Sequence, residues 1–301
     1  MMKTSSESKT LGRFFLASTL LAGSALLAGC ATSTQTETAP SRNQDSASSA
    51  ESSEQPTQPL VASLREMDWK NSKWIYHNSA QEGDTIAVTL TKGVQRVETA
   101  NFELGEVVYA DLNDDGIDDA AAALQRTDGN FIEQQWYIWV ATEDGPSQID
   151  IPIARSMNCG DYIESVEPVN GGVKIEEIHR NIVDEARSCA EGGSEKRVRT
   201  VTAVMDPELG WWPKQTSPTV AFGGLCPAAT QMDYIPLNEA LFTGPSRNAA
   251  KADTSKVKGI IPVDERGVYG VHREGWMLFQ VFSSVADQSS CAWVPAENSA
   301  G

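Results

Sequence analysis

A chain of 301 residues has room for two folded domains behind a leader, and its 41 acidic against 24 basic residues leave a formal net charge of −17. Such a surface repels nucleic-acid phosphates and anionic lipid headgroups at long range, so no nucleic-acid partner is expected. Acidity of this kind favours solubility first and basic partners only weakly.

The N-terminus reads as a targeting segment over residues 1–29. Lys3, Lys9 and Arg13 make a basic stretch, and residues 14–27 are an apolar run from Phe14 to its end at Leu27. About fourteen helical residues reach only ~21 Å, short of a ~30 Å hydrocarbon core, so the run suits a signal peptide better than a permanent span. Leu27-Ala28-Gly29-Cys30 follows and resembles the bacterial lipobox. The resemblance implies that Cys30 is lipidated and becomes the first residue of the mature chain, held to a membrane through two or more acyl chains. Ala31 differs from the aspartate that retains such proteins in an inner membrane, so a cell membrane or an outer membrane both fit. Three basic residues and Glu7 leave with the leader, which takes the net charge to −19.

Residues 30–59 are expected to form a disordered tether. From Ala31 to Pro59 there is no Val, Ile, Leu, Met, Phe, Tyr or Trp, so nothing offsets the entropy of ordering. Its mean reach is on the order of 30 Å.

The remainder is expected to divide near residues 210–218, where Pro213 and Pro218 bracket polar residues, giving domains over 60–215 and 216–301. Leu64 to Met67 suggests a short opening helix. Ile86, Val88 and Leu90 alternate with Ala87 and Thr89, the period of a half-buried strand. Val107-Val108-Tyr109 and Ala120-Ala121-Ala122-Ala123-Leu124 flank an acidic loop. Thr127-Asp128-Gly129-Asn130 then turns the chain into an aromatic run containing Trp136, Tyr137 and Trp139. Asn170-Gly171-Gly172 reads as a hairpin turn, and residues 197–205 alternate imperfectly. Seven or eight antiparallel strands result, and the lack of a 20- to 50-residue repeat argues against a full propeller.

The acidic loop is Asp111-Leu112-Asn113-Asp114-Asp115-Gly116-Ile117-Asp118-Asp119, with oxygen side chains at positions one, three, five and nine and glycine at six. Calcium takes six to eight oxygens, and this spacing turns successive side chains toward one centre. Ala122 stands where an EF-hand needs glutamate. The loop instead resembles the calcium loops of FG-GAP and VCBS repeats, which lie between two β-strands, although one copy is present here. The resemblance implies a structural Ca2+ held by Asp111, Asn113, Asp115 and Asp119 with the Ile117 carbonyl. The plainer reading is an Asx-rich turn, since Asp, Asn and Gly dominate turns.

In the second domain, Leu241-Phe242-Thr243-Gly244-Pro245-Ser246-Arg247-Asn248 resembles the opening of bacterial SH3-type modules. Gly275-Trp276-Met277-Leu278-Phe279-Gln280-Val281 and Cys291-Ala292-Trp293-Val294-Pro295 resemble two later strands of that family, with Ala292 in place of a glycine. The resemblance implies a small barrel that binds cell-wall peptides or glycans, or serves as a spacer. Trp276 and Trp293 read as core residues, and Trp211 and Trp212 as interdomain packing rather than a sugar platform.

Cys159, Cys189, Cys226 and Cys291 remain once Cys30 is lipidated, and an even count outside the cell reads as two disulfides with three connectivities open. Cys159–Cys189 with Cys226–Cys291 is favoured because each pair then stays within one expected domain. In the chain-entropy model such loops contribute ~3.6 and ~4.3 kcal/mol.

The expected fold class is mainly β: a tether, an antiparallel β-rich domain and a small SH3-like β-barrel. G-x-S-x-G, S-x-x-K and H-E-x-x-H signatures are all absent. Of the scattered histidines His77, His179 and His272, His179 beside Glu176 and Glu177 is the best candidate base. The expected function is a non-enzymatic cell-envelope lipoprotein that binds or scaffolds at the membrane surface, with peptidoglycan or an envelope protein as partner. A cell-wall hydrolase or its accessory subunit is one alternative, and a purely structural envelope component is another.

Overall fold

The computed structural model describes residues 63–78, 85–229, 233–234, 240–254, 257–263, 274–283 and 288–296. The leader, Cys30, the tether and His272 lie outside the described residues. The chain is mainly β and its sheets are antiparallel.

Strands β1 (Lys73–His77) and β2 (Thr85–Thr89) form a two-stranded ribbon. The six-stranded middle sheet follows the order β3 (Val94–Val97), β4 (Ala100–Ala110), β5 (Asp119–Asp128), β6 (Phe131–Thr142) and β7 (Gly145–Gln148). Its last member, β8 (Ala154–Met157), pairs with β6 beyond β7. The remaining strands are β9 (Tyr162–Val169), β10 (Gly172–His179), β11 (Glu195–Asp206), β12 (Gly210–Ser217), β13 (Ala221–Phe222), β14 (Val257–Pro262), β15 (Trp276–Ser283) and β16 (Ser289–Pro295). They make one eight-stranded sheet in the order β14-β15-β16-β13-β12-β11-β10-β9.

The middle sheet is buried on both faces, and its two central strands show why. Ala121 and Ala123 of β5, with Trp136, Ile138 and Val140 of β6, share one core with Val173, Ile175, Val201 and Ala203 of the large sheet. Ala120, Ala122 and Leu124, with Tyr137 and Trp139, share another with Trp69, Trp74 and Tyr76. A strand buried on both sides loses the alternation of a half-buried one and reads as a continuous apolar run. Small residues on β5 sit beside large ones on β6, as in the pairs Ala123 with Trp136 and Ala120 with Trp139. Trp139 meets Trp69 and Trp74 edge-on, with ring centroids 5.4 and 5.0 Å apart. Gly105 of β4 also needs its missing side chain, because a Cβ there would stand 2.8 Å from that of Ala123.

Turn chemistry sets two hairpins. Asp128 pairs with Phe131 around Gly129, whose φ is +61°, and Val169 pairs with Gly172 around Gly171, whose φ is +70°. These left-handed positions favour glycine.

The expected division between 215 and 216 is not a break in the fold. Residues 210–217 are strand β12, which pairs with β11 on one side and β13 on the other, and the described residues on both sides of it belong to one compact unit. The prolines suggested a linker, but Trp212 is 2% exposed and its indole N–H donates to the Thr243 carbonyl at 3.0 Å, binding the segment to the C-terminal part. The C-terminal strands β14 to β16 form one end of the large sheet. Phe242 bridges to both Trp293 and Lys251, and a small core of Leu241, Ile260, Phe279, Val281, Ala292 and Val294 lies behind them. Trp293 is buried in the core, whereas Trp276 is only partly buried and packs edge-on to Phe242 at 5.5 Å at the core's margin.

Candidate functional site

The acidic loop joins β4 to β5. Asp111 accepts from the Asp115 and Gly116 amides at 3.2 and 2.8 Å. Asn113 Oδ1 accepts from the Asp115 amide and Asp115 Oδ1 from the Ile117 amide, each an Asx turn. Gly116 has φ +84°, and Asp114 also lies in the left-handed region at +64°. Asp119 is fully buried and committed to other amides: it accepts from the Leu112 amide at 3.0 Å and the Ala141 amide at 2.8 Å. Burial pushes its carboxyl up to about 6, reinforced by the charges of Asp115 and Asp111 and opposed by the two amides. Among the described residues no three acid, histidine or cysteine groups converge on a metal position. The loop therefore satisfies its carboxylates with its own backbone, and a cation would share Asp111, Asn113 and Asp115 with those amides. Arg65 pairs with Asp118 and lies over the Tyr109 ring at 4.8 Å, so the start of the described chain docks beside this loop.

A second polar cluster lies on the inner face of β10 and β11. Along that face the side chains change from apolar (Val173, Ile175, Val201, Ala203) to charged (Glu177, His179, Glu195, Arg197, Arg199). Arg199 Nε donates to Glu177 at 2.9 Å, and its other nitrogens reach the Gly223 and Ile153 carbonyls. Arg197 pairs with Glu195 at 3.2 Å and also reaches Ser289. Glu195 accepts from the Ser289 hydroxyl at 2.7 Å and from Asn181 at 3.2 Å. Asp161 receives His179 Nδ1 at 2.8 Å, the Arg180 amide at 2.9 Å and Arg155 at 3.2 Å. Desolvated charges persist only when paired in this way.

The pairing sets the protonation of the acids. Burial alone would raise the Asp161 carboxyl, but His179, Arg155 and the Arg180 amide outweigh it and hold Asp161 well below the usual range. Burial likewise opposes Glu195, yet Arg197, the Ser289 donors and His179 bring it down to about 2. Both groups are ionised acceptors committed to several donors, an arrangement that fixes loop geometry.

Two disulfides tie this end of the molecule. Cys159–Cys189 links the loop before β9 to the loop after β10, and Cys226–Cys291 links the segment after β13 to β16. These are the favoured pairings. Arg180 adds a polar clamp, its guanidinium reaching the carbonyls of Asp184, Arg187, Ser188 and Gly192.

His179 thus has a carboxylate partner, but not one of its sequence neighbours. Glu176 points outward to Lys174 and Lys196, and Glu177 belongs to Arg199. Sequence reasoning missed the cluster because its signal is inverted. In β11 the charged Arg197 and Arg199 point inward, at 2% and 5% exposure, while Val198 is 37% exposed. No family model, curated protein or solved structure matches this chain.

Proposed function

We propose that the chain is a non-enzymatic lipoprotein of the cell envelope. Lipid on Cys30 anchors it to a cell membrane or outer membrane, facing away from the cytoplasm. Residues 30–59 space the β-rich head from the bilayer, and the head binds or scaffolds peptidoglycan or an envelope protein. The observation that carries this reading is the pairing of all four cysteines after Cys30. Such bonds form and persist outside the reducing cytosol. They leave Cys30, directly behind a basic and apolar leader, as the one cysteine of five outside a disulfide.

Two finer elements complete the reading. The loop at Asp111, Asn113, Asp115, Ile117 and Asp119 takes a structural Ca2+, supported by its spacing and its five aspartates. The C-terminal strands act as an SH3-like module, supported by the motif order and by Phe242 bridging to both Lys251 and Trp293. The test of the anchor is metabolic labelling of growing cells with an alkyne analogue of palmitate. The native chain should take up label and Cys30→Ala should not; an unlabelled native chain refutes the anchor. Retention of the protein on purified peptidoglycan is a separate readout of the binding role.

A further inference from the structure

The two disulfides sit in opposite settings. Cys291 lies on β16, is 0% exposed and belongs to the main core with Phe222 and Trp293, and Cys226 packs against that same core. Cys159 and Cys189 are both exposed and lie outside the strands, and Asn158, Arg187, Ser188, Ala190 and Glu191 around them are exposed as well. Thiol–disulfide exchange depends on access to the bridge. A reagent meets Cys159–Cys189 from solvent, whereas Cys226–Cys291 opens only if β16 parts from the segment after β13.

Each loop joined by the exposed bridge keeps its shape by other means. Before β9, the Asn158 side chain accepts from the Ile132 amide at 2.7 Å and donates to the Asn130 carbonyl at 3.2 Å. After β10, Asp184 is 1% exposed and accepts from the Asn181 and Ser194 amides at 3.0 and 3.1 Å. Arg180 gathers the carbonyls on either side of Cys189, those of Ser188 and Gly192. Asp161 joins the two loops a second time by holding the Arg180 amide and His179. Breaking the sulfur bridge therefore removes one crosslink among several.

We propose that Cys159–Cys189 is a thiol–disulfide exchange site for an external dithiol of the thioredoxin class, while Cys226–Cys291 is a permanent staple. A thiolate of the dithiol attacks one sulfur of the exposed bridge, and the other sulfur leaves with the bonding pair and takes a proton. The second thiolate of the dithiol then attacks the mixed bond. The bridge gains two electrons and two protons, and the dithiol is oxidised to its own disulfide. Opening frees the loop carrying Cys189 from the loop carrying Cys159 while the sheets stay assembled. This exchange goes beyond the binding role given above and is measured without it.

The test incubates the folded full-length protein in detergent with reduced thioredoxin, alkylates free thiols with iodoacetamide and maps them by peptide mass spectrometry. Cys159 and Cys189 should be alkylated together, at least about tenfold faster than Cys226 and Cys291, with the near-ultraviolet circular dichroism retained. Thioredoxin whose second active-site cysteine is replaced by serine should be trapped as a mixed disulfide on Cys159 or Cys189, and no adduct should form on a Cys159→Ser, Cys189→Ser variant. Alkylation of the native chain keeps the test decisive if that variant fails to fold. Two bridges that stay closed, two that open at equal rates, or an opening that abolishes the near-ultraviolet signal would each overturn the proposal.

Discussion

The acidic loop between β4 and β5 and the charged end of β10 and β11 hold similar chemistry in opposite settings. In the loop, Asp111, Asn113 and Asp115 are tied to amides within five residues of themselves, and Asp114 and Asp115 are exposed to solvent. At the end of the large sheet, Glu177, Asp161 and Glu195 are tied to side chains from other strands and loops, in a region closed by two disulfides. Charge that is local in sequence can be solvated cheaply, but charge that is buried depends on partners brought from a distance.

The largest difference should appear when one buried partner is removed. Arg199→Met strands Glu177 at 6% exposure and should cost about 3–5 kcal/mol by denaturant unfolding. Adding Glu177→Leu should recover much of that loss, since a repacked apolar pair avoids the desolvation. A single substitution costing under about 1 kcal/mol would mean that the pair is solvated and the contrast with the loop false.

A pH series sharpens the contrast because the two regions have opposite signs. Glu195 is depressed from 4.5 to about 2, so its contribution is complete above its unfolded value and is lost as pH falls from about 4.5 to about 2. The shift corresponds to about 3 kcal/mol. Asp161 acts in the same direction. Asp119 is raised from 3.8 to about 6, so its contribution is present below its unfolded value and is lost as pH rises through that window. Unfolding free energies measured in chelator from pH 2 to 7 should therefore show a shallower acid-side slope in Glu195→Gln, with the Asp161 part retained, and lose the opposing contribution between 4 and 6 in Asp119→Asn. Unchanged slopes in both variants would break the assignment.

The smallest expected effect is calcium on the loop. At ~1 mM calcium and a dissociation constant of ~0.1 mM, the gain is ~1.4 kcal/mol. It should raise the melting temperature of the native chain and leave an Asp111→Ala, Asp115→Ala variant unmoved. A native melting temperature that is the same with calcium and with chelator refutes the metal.

Legibility in the sequence followed the range of the interactions. The alternation at Ile86, Val88 and Leu90 and the glycine turns at Gly129 and Gly171 are neighbour effects, and the structure has strands and hairpins there. The pairing of Cys159 with Cys189 is favoured by keeping each bridge on one side of the expected boundary, and the two cysteines are bonded. The boundary at 210–218 misled because two prolines outweighed Trp212, whose hydrogen bond to Thr243 spans 31 residues. The charged cluster was illegible for the same reason: Glu195 meets Ser289 across 94 residues, and no local pattern marks either as a partner.

By itself, the sequence determined the β class, the acidic loop's turn, the cysteine inventory and the leader-like N-terminus, because each depends on residues close along the chain. Only the tertiary structure decided that β12 and β13 join both halves into one sheet. It also decided that Arg197 and Arg199 point inward on β11 while Val198 between them faces out, and that His77 and Trp211, 134 positions apart in the numbering, wall the same cavity. The physical reason is that burial is a property of what packs against a residue, and that is chosen by the whole chain at once.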